Sequence, residues 1–183
     1  IEDVCIHLKE KELISLLGVS GVGKTTLFNI LSGLLTPDSG RVYLDNQDVT
    51  GKEGIISYML QKDLLLSHKT VIDNVSLPLV LKGVSKKEAR ERVKEYFSLF
   101  GISGTENKYP YQLSGGMKQR AALLRTYMNS TQLVLLDEPF SALDTINKTL
   151  MQDWYLKIME ELRLSTIFIT HDIDEAILLS DRI

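Results

Sequence analysis

The sequence predicts an α/β fold with an antiparallel β portion near its N-terminus and an inserted helical segment. Three observations support this prediction: strand and helix patterns alternate at both ends of the chain, the middle third has helical periodicity, and 183 residues can bury a substantial core. No internal repeat, low-complexity tract or proline-rich linker interrupts this order. We therefore expect the helical segment to pack on the core instead of moving on a tether.

The first elements follow from apolar runs and the residues that interrupt them. Residues 12–17 form a short apolar run that reaches Gly18, and a helical pattern begins after Lys24. Turn residues then precede two strand candidates at 41–44 and 55–59. This order predicts a strand, a glycine loop and a helix, followed by strands for which parallel and antiparallel pairing both remain possible.

Helical periodicity dominates between residues 73 and 129. Ser85, with Glu88 three residues later, forms a capping box at the start of one helix, and Gly101 closes that helix. Apolar residues at helical spacing between these positions predict a face that packs against the core.

The last third of the chain returns to alternating strands and helices. A bare apolar run at 133–136 is a strand candidate, and Asp144 can cap a long helix that continues through Leu162. The β-branched run at 166–170 is another strand candidate, and it precedes a helical pattern at 174–179. These alternations at both ends of the chain place the helical segment as an insertion in an α/β core.

The chain is expected to hold one domain that is trimmed at both ends. It begins with Ile1 instead of Met, without a charged and then apolar leader, and it stops at Ile183 where another strand pattern begins. The predicted parts of the domain 1–183 are a core of residues 1–72 and 130–183 and a helical subdomain of residues 73–129.

Composition and charge exclude several classes of protein. Lys and Arg total 21 against 24 for Asp and Glu, and the net charge of −3 argues against a nucleic-acid binder with a broad basic face. Cys5 is the only cysteine, so an intramolecular disulfide and a multi-cysteine zinc site are both excluded, and a reducing compartment fits best. Its apolar setting predicts a packing role for Cys5. The longest apolar runs are far shorter than the roughly 18 to 20 residues that cross a bilayer.

A glycine-rich loop stands between the first strand and the first helix. Residues 18–25 read GVSGVGKT and match the pattern G-x-x-x-x-G-K-[ST] in the strand, loop and helix context that phosphate binding requires. Glycines let backbone N–H groups turn toward phosphate oxygens, and the helix N-terminus adds partial positive charge. Lys24 would hold the β- and γ-phosphates and Thr25 would bind Mg²⁺, although a capped glycine turn with a solvated lysine is the alternative. The predicted nucleotide-binding residues are Gly18, Ser20, Gly21, Val22, Gly23, Lys24, Thr25 and Thr26.

Two carboxylates, Asp137 and Glu138, follow the buried strand at 133–136. Ligand crevices of α/β sheets lie at the carboxyl ends of the strands. Asp137 is placed to hold Mg²⁺, and Glu138 suits a general base that polarises the attacking water. The alternative is an acidic pair that faces solvent, but four uninterrupted apolar residues before it make a surface strand a poor explanation.

Further motifs resemble those of one family. Residues 113–117 read LSGGM and, followed by KQR, resemble the LSGGQ signature of ATP-binding-cassette (ABC) ATPases. Gln61 resembles the Q-loop residue, Asp144 the D-loop aspartate and His171 the switch histidine of that family. Taken alone, these residues have plainer explanations as a loop amide, a helix cap and a strand-end cap. The signature residues that would contact the opposite subunit's ATP are Ser114, Gly115, Gly116 and Met117.

The resemblance implies a RecA-like phosphate-loop NTPase core with a mixed sheet, an antiparallel β portion near the N-terminus and an inserted α-helical subdomain that carries the signature. It also implies that two cassettes face head to tail and enclose two ATP molecules, each held by one copy's phosphate loop and the other's signature. ATP closes this dimer, and hydrolysis lets the copies separate. The implied catalytic residues are Glu138, His171 and Gln61, and the implied Mg²⁺ ligands are Thr25, Gln61 and Asp137.

The form of the signature resembles one group of importers. Met117 replaces the usual glutamine, and a basic residue and Gln-Arg follow it, as in importer subunits for nitrate, sulfonate, taurine and thiamine precursors. The resemblance implies the ATPase subunit of a bacterial importer. Such a subunit is a homodimer on the cytoplasmic face of the membrane, bound to a separate permease, linked indirectly to an external solute-binding protein and free of nucleic acid. Ser67 stands where relatives often carry proline, in the surface that resembles the permease docking site.

Three other functions remain as alternatives. A non-transport ABC ATPase in translation or DNA maintenance is the first, a phosphotransferase that uses the same loop is the second, and an inert interaction module is the third. The short interval between Gly18 and Ser114 leaves no space for a long coiled-coil insertion, and a phosphotransferase would leave Ser114 and His171 without a role. The importer is therefore the leading interpretation.

The binding of adenine is the least defined part of the site. ABC ATPases usually stack the base on an aromatic residue ahead of the phosphate loop, yet residues 1–17 contain no Phe, Tyr or Trp. We expect that aromatic residue upstream of Ile1, with His7 as a weaker substitute. Trp154 and Tyr155 are predicted to be packing residues.

Overall fold

The computed structural model describes residues 1–129, 132–141 and 145–183, and these residues form an α/β fold. The strands are β1 (Leu13–Leu17), β2 (Tyr43–Leu44), β3 (Gln47–Asp48), β4 (Ser57–Met59), β5 (Leu133–Asp137) and β6 (Ser165–Thr170). The helices are α1 (Lys24–Leu31), α2 (Val71–Val75), α3 (Leu77–Leu81), α4 (Lys86–Leu99), α5 (Gly115–Asn129), α6 (Thr145–Leu162) and α7 (Ile173–Leu179), with a 3₁₀ turn at Pro110–Gln112. The predicted α/β class and the insertion of helices between β4 and β5 are confirmed.

Four parallel strands form the main sheet in the order β1, β6, β5, β4. Their carboxyl ends therefore lie at one edge of the sheet, where ligands of α/β proteins bind. The predicted antiparallel pairing near the N-terminus is the β2–β3 hairpin, which is a separate sheet within the described residues. Asp45 and Asn46 join its strands with φ angles of 49° and 62°, as a tight hairpin turn requires.

Both faces of the main sheet are covered. Val134 and Leu136 of β5 lie in the larger core cluster, together with residues from the helices of the middle third. Leu133 and Leu135 point to the opposite face and join a smaller cluster that contains Phe28 of α1. Burial on both faces explains why the apolar run of β5 is uninterrupted, as is typical of parallel sheets.

The Ser85 half of the capping box predicted at the start of α4 is confirmed. The Oγ atom of Ser85 accepts a hydrogen bond from the N–H of Glu88 at 3.3 Å. The helix ends at Leu99, and Gly101 follows it with a φ of 64°, a left-handed conformation that favours glycine. A Cβ atom at Gly101 would also lie 2.4 Å from the Arg120 guanidinium, so this position accepts no larger residue without a shift.

Asp73 joins α2 to α4. Two hydrogen bonds of 2.9 Å connect its carboxylate to Arg90, and Lys86 Nζ lies 3.3 Å from Oδ1. Burial alone would raise the pKa of Asp73, but the hydrogen bonds from Arg90 and Lys86 outweigh burial and keep the pKa below its ordinary value. The ionised carboxylate therefore helps to hold the first helices of the insertion together.

Some sequence-based expectations change in the structure. The strands predicted at 41–44 and 55–59 are shorter, at Tyr43–Leu44 and Ser57–Met59. The prediction that Cys5 packs in an apolar setting is wrong, because residues 1–12 form no helix or strand and the thiol is exposed.

Other expectations about the second half of the chain are confirmed or stay predictions. Trp154 packs against the larger core and Tyr155 lies within it, so their predicted packing role is confirmed. The predicted long helix is α6, but Asp144 lies outside the described residues and its capping role stays a prediction. Among the described helices, none has the length and apolar character needed to cross a bilayer.

Candidate active site

The predicted functional segments meet at the carboxyl edge of the main sheet. The phosphate loop follows β1, His171 follows β6, Glu138 follows β5, and Gln61 comes two residues after β4. Because these four strands are parallel neighbours, residues that are far apart in sequence are brought to one crevice. The sheet order therefore brings these four predicted segments to one edge of the sheet.

The phosphate loop has the local geometry of an anion site. Gly21 and Gly23 have φ angles of 83° and 102°, which only glycine adopts readily. No side chain caps the N-terminus of α1, and its first turn carries no acidic residue. The ammonium of Lys24 donates hydrogen bonds to the carbonyl oxygens of Gly18 at 2.6 Å and Val19 at 2.9 Å, so it lies over the loop. A cation thus lies over a glycine loop that leads into an uncapped helix N-terminus, the combination that phosphate binding requires.

Asp137 connects the phosphate loop to β5 and β4. Its side chain is 8% exposed, and Oδ2 accepts hydrogen bonds from the hydroxyl groups of Thr25 at 3.2 Å and Tyr58 at 3.1 Å. The carboxylate of Asp137 and the hydroxyl of Thr25 are oxygen donors that lie side by side, and this donor type fits Mg²⁺. Burial, followed by the charge and the hydrogen bond of Asp137, raises the pKa of Tyr58, so the phenol stays a donor.

Glu138 lies in a strained turn at the end of β5. Its φ of 46° is unusual for a residue other than glycine and costs about 1 kcal/mol or more. The surrounding hydrogen bonds hold it there: its N–H donates to Ile169 at 3.0 Å, and its carbonyl oxygen accepts from the N–H and the hydroxyl of Ser141 at 3.2 and 2.9 Å. Such strain is typical of functional sites, where the surrounding structure imposes it.

The carboxylate of Glu138 is shared between two predicted catalytic partners. Gln61 Nε2 donates to its Oε2 atom at 3.1 Å and lies 3.3 Å from the hydroxyl of Ser141. His171 Nδ1 lies 3.4 Å from Oε1, and the imidazole is 60% exposed. The described hydrogen bonds of Gln61 thus go to Glu138 and Ser141. They do not go to Thr25 or Asp137, the residues predicted to bind a metal ion together with Gln61.

The signature residues form a second, separate helix start. The Oγ atom of Ser114 accepts a hydrogen bond from the N–H of Met117 at 3.3 Å, and α5 begins at Gly115. Ser114 and Gly115 are exposed, whereas the side chain of Met117 packs against the larger core. In the described part of the chain, no hydrogen bond joins this segment to the phosphate loop. An exposed signature is the arrangement expected if it contacts ATP on another copy.

Sequence reasoning missed two residues of this site. Tyr58 bonds to Asp137 because β4 pairs with β5, and Lys148 of α6 lines the same cavity of about 100 Å³ as Glu138 and His171. A tyrosine in a strand and a lysine in a helix carry no motif, so neither could be found before the strand order was known. Asp144, the predicted D-loop residue, lies outside the described residues.

Comparison with known proteins identifies the family. A family model described as "ABC transporter" matches residues 1–141 of the chain. The chain belongs to the ABC transporter family. The family drawn from the LSGGM signature is therefore confirmed, and with it the prediction of an ATP-binding cassette.

Curated ABC relatives match this cassette over its whole length. The formylaminopyrimidine import ATP-binding protein ThiZ of Halalkalibacterium halodurans is 45% identical over 183 residues, which is 100% of this chain and 71% of ThiZ. The taurine import ATP-binding protein TauB of Pelagibacter ubique is 40% identical over 183 residues, which is 100% of this chain and 69% of TauB. Both relatives belong to the group of importers that the signature resembled.

A solved ABC cassette has the same fold. The dimeric structure of MJ0796, a bacterial ABC transporter cassette, superposes with a TM-score of 0.77 at 32% identity, over 94% of this chain and 80% of MJ0796. The α/β cassette architecture predicted from the sequence is therefore confirmed by comparison as well as by the strand order.

Proposed function

We propose that this chain is the ATP-hydrolysing subunit of a bacterial ABC importer, which powers solute uptake through a separate membrane permease. The observation that carries this proposal is the meeting of the phosphate loop, His171, Glu138 and Gln61 at one edge of the parallel sheet. ThiZ and TauB are import ATP-binding proteins, and their identity to this chain supports a role in uptake.

In this proposal the phosphate loop holds the triphosphate. The ammonium of Lys24 now donates to two carbonyl oxygens of its own loop, and phosphate oxygens of ATP would accept these hydrogen bonds instead. The first N–H groups of α1, which have no acceptor within the helix and no side-chain cap, supply further donors, and Ser20 and Val22 contribute backbone N–H groups from exposed loop positions. Binding therefore requires no rearrangement of the strand or the helix.

The Mg²⁺ ligands that we propose are Thr25, Asp137 and Gln61. Thr25 and Asp137 already lie in contact, and the amide oxygen of Gln61 would complete an all-oxygen set of the kind that Mg²⁺ prefers. When bound, Mg²⁺ neutralises charge that develops on the phosphate oxygens. Tyr58 helps to hold Asp137 in place through its hydrogen bond to Oδ2.

Glu138 is the proposed general base. It accepts a proton from water as the water oxygen forms a bond to the γ-phosphorus and the bond from that phosphorus to the bridging oxygen of ADP breaks. Gln61 and His171 both contact its carboxylate, so they hold the base in one orientation. The exposed imidazole of His171 is then able to reach the γ-phosphate. The products are ADP and phosphate.

A second copy of the chain completes each site in this proposal. Ser114, Gly115 and Gly116 lie at the N-terminus of α5, where helix N–H groups favour an anion, and Met117 anchors this end of the helix to the core. The MJ0796 cassette, which shares the fold, was solved as a dimer. Hydrolysis removes the phosphate that both copies grip, so the closed dimer loses its advantage over the open one.

The remaining parts of the proposal concern the surroundings of the cassette. We place it on the cytoplasmic face of the membrane, where residues of the helical subdomain 73–129 and the segment with Ser67 face the permease. An external solute-binding protein takes part indirectly, through the permease. In this proposal the cassette consists of that helical subdomain and a core of residues 1–72 and 130–183.

A Glu138→Gln variant tests the proposed reaction. The amide keeps the hydrogen-bonding shape of the carboxylate but accepts no proton, so steady-state phosphate release should fall at least about a hundredfold while ATP binding persists. Light scattering should then detect an ATP-dependent dimer. Glu95→Gln, an exposed change on α4, is the matched control and should behave as the parent. Phosphate release at the parental rate by Glu138→Gln would overturn the base assignment.

The transport role is tested with the intact importer. The full-length protein is purified together with its membrane partner, and uptake into vesicles is measured with and without ATP. Loss of uptake with Glu138→Gln is the expected result. A non-transport role would be favoured if the protein hydrolysed ATP at a normal rate and no membrane partner copurified with it from cell extracts.

A further inference from the structure

The turn that carries His171 is tied to α6 through one lysine. Lys148 Nζ lies 2.5 Å from Asp172 Oδ2 and 2.7 Å from Glu175 Oε1. The side chain of Lys148 is 25% exposed and that of Glu175 is 6% exposed, so the contact between them is largely shielded from water, whereas Asp172 is 32% exposed. Gln152, one turn further along α6, lies 3.4 Å from the same Oε1 atom. The helix and the turn are therefore joined by charged contacts.

Both neighbours of His171 in the chain belong to this network. The hydroxyl of Thr170 donates to the carboxylate of Glu175 and accepts from the N–H of Asp172 at 3.0 Å. Asp172 Oδ1 accepts from the N–H groups that start α7, at 2.9 and 3.2 Å. The backbone is thus held on either side of His171, while the imidazole itself is largely exposed and has a 3.4 Å contact with Glu138.

Lys148 and Asp172 both keep their charges at neutral pH. Burial alone would lower the pKa of Lys148, but the hydrogen bonds to Asp172 and Glu175 outweigh it and raise the pKa. The hydrogen bond from Lys148 lowers the pKa of Asp172, and further hydrogen bonds from backbone N–H groups lower it too. The Lys148 ammonium contacts both acidic side chains, and neither Asp172 nor Glu175 has another described cation within salt-bridge distance.

We propose that Lys148 is a positioning residue for His171. Lys148 contacts Asp172 in the turn and Glu175 in α7, and so ties both residues to α6. These contacts fix the turn between β6 and α7 and thereby place the imidazole of His171 beside Glu138. Lys148 does not itself contact Glu138 through a described hydrogen bond, although both residues line the same cavity. This inference rests on the proposed ATPase function, in which His171 reaches the γ-phosphate.

Two substitutions separate positioning from simple loss of charge. Lys148→Met keeps an unbranched apolar stem and removes the ammonium. We expect kcat for ATP hydrolysis to fall at least about tenfold with KM changed less than about twofold, because a misplaced catalytic group affects the chemical step. Lys148→Arg keeps the positive charge and has N–H donors for both Asp172 and Glu175, so kcat should return to within about threefold of the parent. Lys157→Met, an exposed change on the same helix, is the matched control.

A double-mutant cycle tests whether Lys148 acts through His171. In a His171→Ala background, Lys148→Met should lower single-turnover phosphate release by less than about twofold, because the residue that it positions is gone. An equal loss in both backgrounds would overturn the proposal. The same conclusion would follow if Lys148→Met and Lys157→Met had the same kcat.

A second readout does not depend on activity. The chain has three histidines, so the imidazole Cε1–H resonances of labelled protein give three signals, and His171→Ala assigns one of them. Lys148→Met should shift or broaden the His171 signal and leave those of His7 and His68 in place. An unchanged His171 signal would overturn the positioning role even if the protein hydrolysed no ATP, so this result is distinct from failure of the proposed function.

A third variant covers the case in which Lys148→Met unfolds. That change leaves Glu175 as a buried, unpaired carboxylate, whereas Lys148→Met combined with Glu175→Gln leaves a neutral amide that still accepts from Thr170. Asp172 is 32% exposed and remains solvated. The double variant should fold with the circular dichroism spectrum of the parent and still show the altered His171 signal. A folded double variant with parental kcat and a parental signal would overturn the proposal.

Discussion

The hydroxyl of Tyr58 should stabilise the active site through Asp137. Tyr58→Phe removes only the phenolic oxygen, which donates to Asp137 Oδ2 at 3.1 Å, and keeps the ring that packs edge-to-face on Phe28 at 5.6 Å. The change therefore isolates one hydrogen bond to a buried carboxylate, without loss of the aromatic contact.

The expected size of this effect follows from the surroundings of the bond. Hydrogen bonds to charged groups contribute about 1.5–3 kcal/mol to stability. Asp137 keeps the hydrogen bond from Thr25 and Tyr58 is half-buried, so we expect Tyr58→Phe to lower the free energy of unfolding by about 1–2 kcal/mol. With a urea m value of about 2 kcal/mol per M, the unfolding midpoint should fall by about 0.5–1 M.

Urea unfolding followed by circular dichroism measures this loss, with Tyr43→Phe as the matched control. Tyr43 is 61% exposed on the β2–β3 hairpin, so its change should stay within about 0.5 kcal/mol. In an Asp137→Ala background, the acceptor is absent and Tyr58→Phe should cost much less. An equal cost in both backgrounds, or a loss no larger than that of Tyr43→Phe, would refute the assignment.

Three further predictions concern binding, backbone conformation and pH. Lys24→Ala should weaken ATP binding at least about tenfold in calorimetry, because the ammonium of the phosphate loop is lost; unaltered affinity would count against the loop assignment. Gly33→Ala should destabilise the protein by at least about 2 kcal/mol in urea, since its φ is 81° and the new Cβ would lie 2.5 Å from the Lys52 carbonyl group. Gly40→Ala has a φ of 87° but open space, so it should cost less, and equal costs would contradict the role of the close contact. The pKa of Asp73 lies below its ordinary value, because hydrogen bonds from basic side chains outweigh the effect of burial. The stability that this carboxylate adds is present above about pH 4 and is lost as the pH falls through the folded-state pKa, so Asp73→Asn should flatten the acid limb of a stability profile, and an unchanged limb would exclude this contribution.

The local motifs were predictable because they depend on short stretches of chain. The phosphate loop needs only a strand, glycines with positive φ and a helix start, and residues 13–25 supply all three. The hydrogen bond that caps α4 likewise involves only Ser85 and Glu88. Cys5 shows the limit of this reasoning, since an apolar neighbourhood in sequence did not place its thiol in the core.

The sequence by itself determined the family, the α/β class and the chemical types at the site, because glycine, lysine, carboxylate and imidazole groups act through their own local conformation and charge. Only the tertiary structure decided that β6 lies between β1 and β5, that Tyr58 bonds to Asp137 and that Lys148 holds the turn at His171. Strand order and contacts between distant elements follow from burying both faces of the sheet at once, and no local spacing of residues encodes that arrangement.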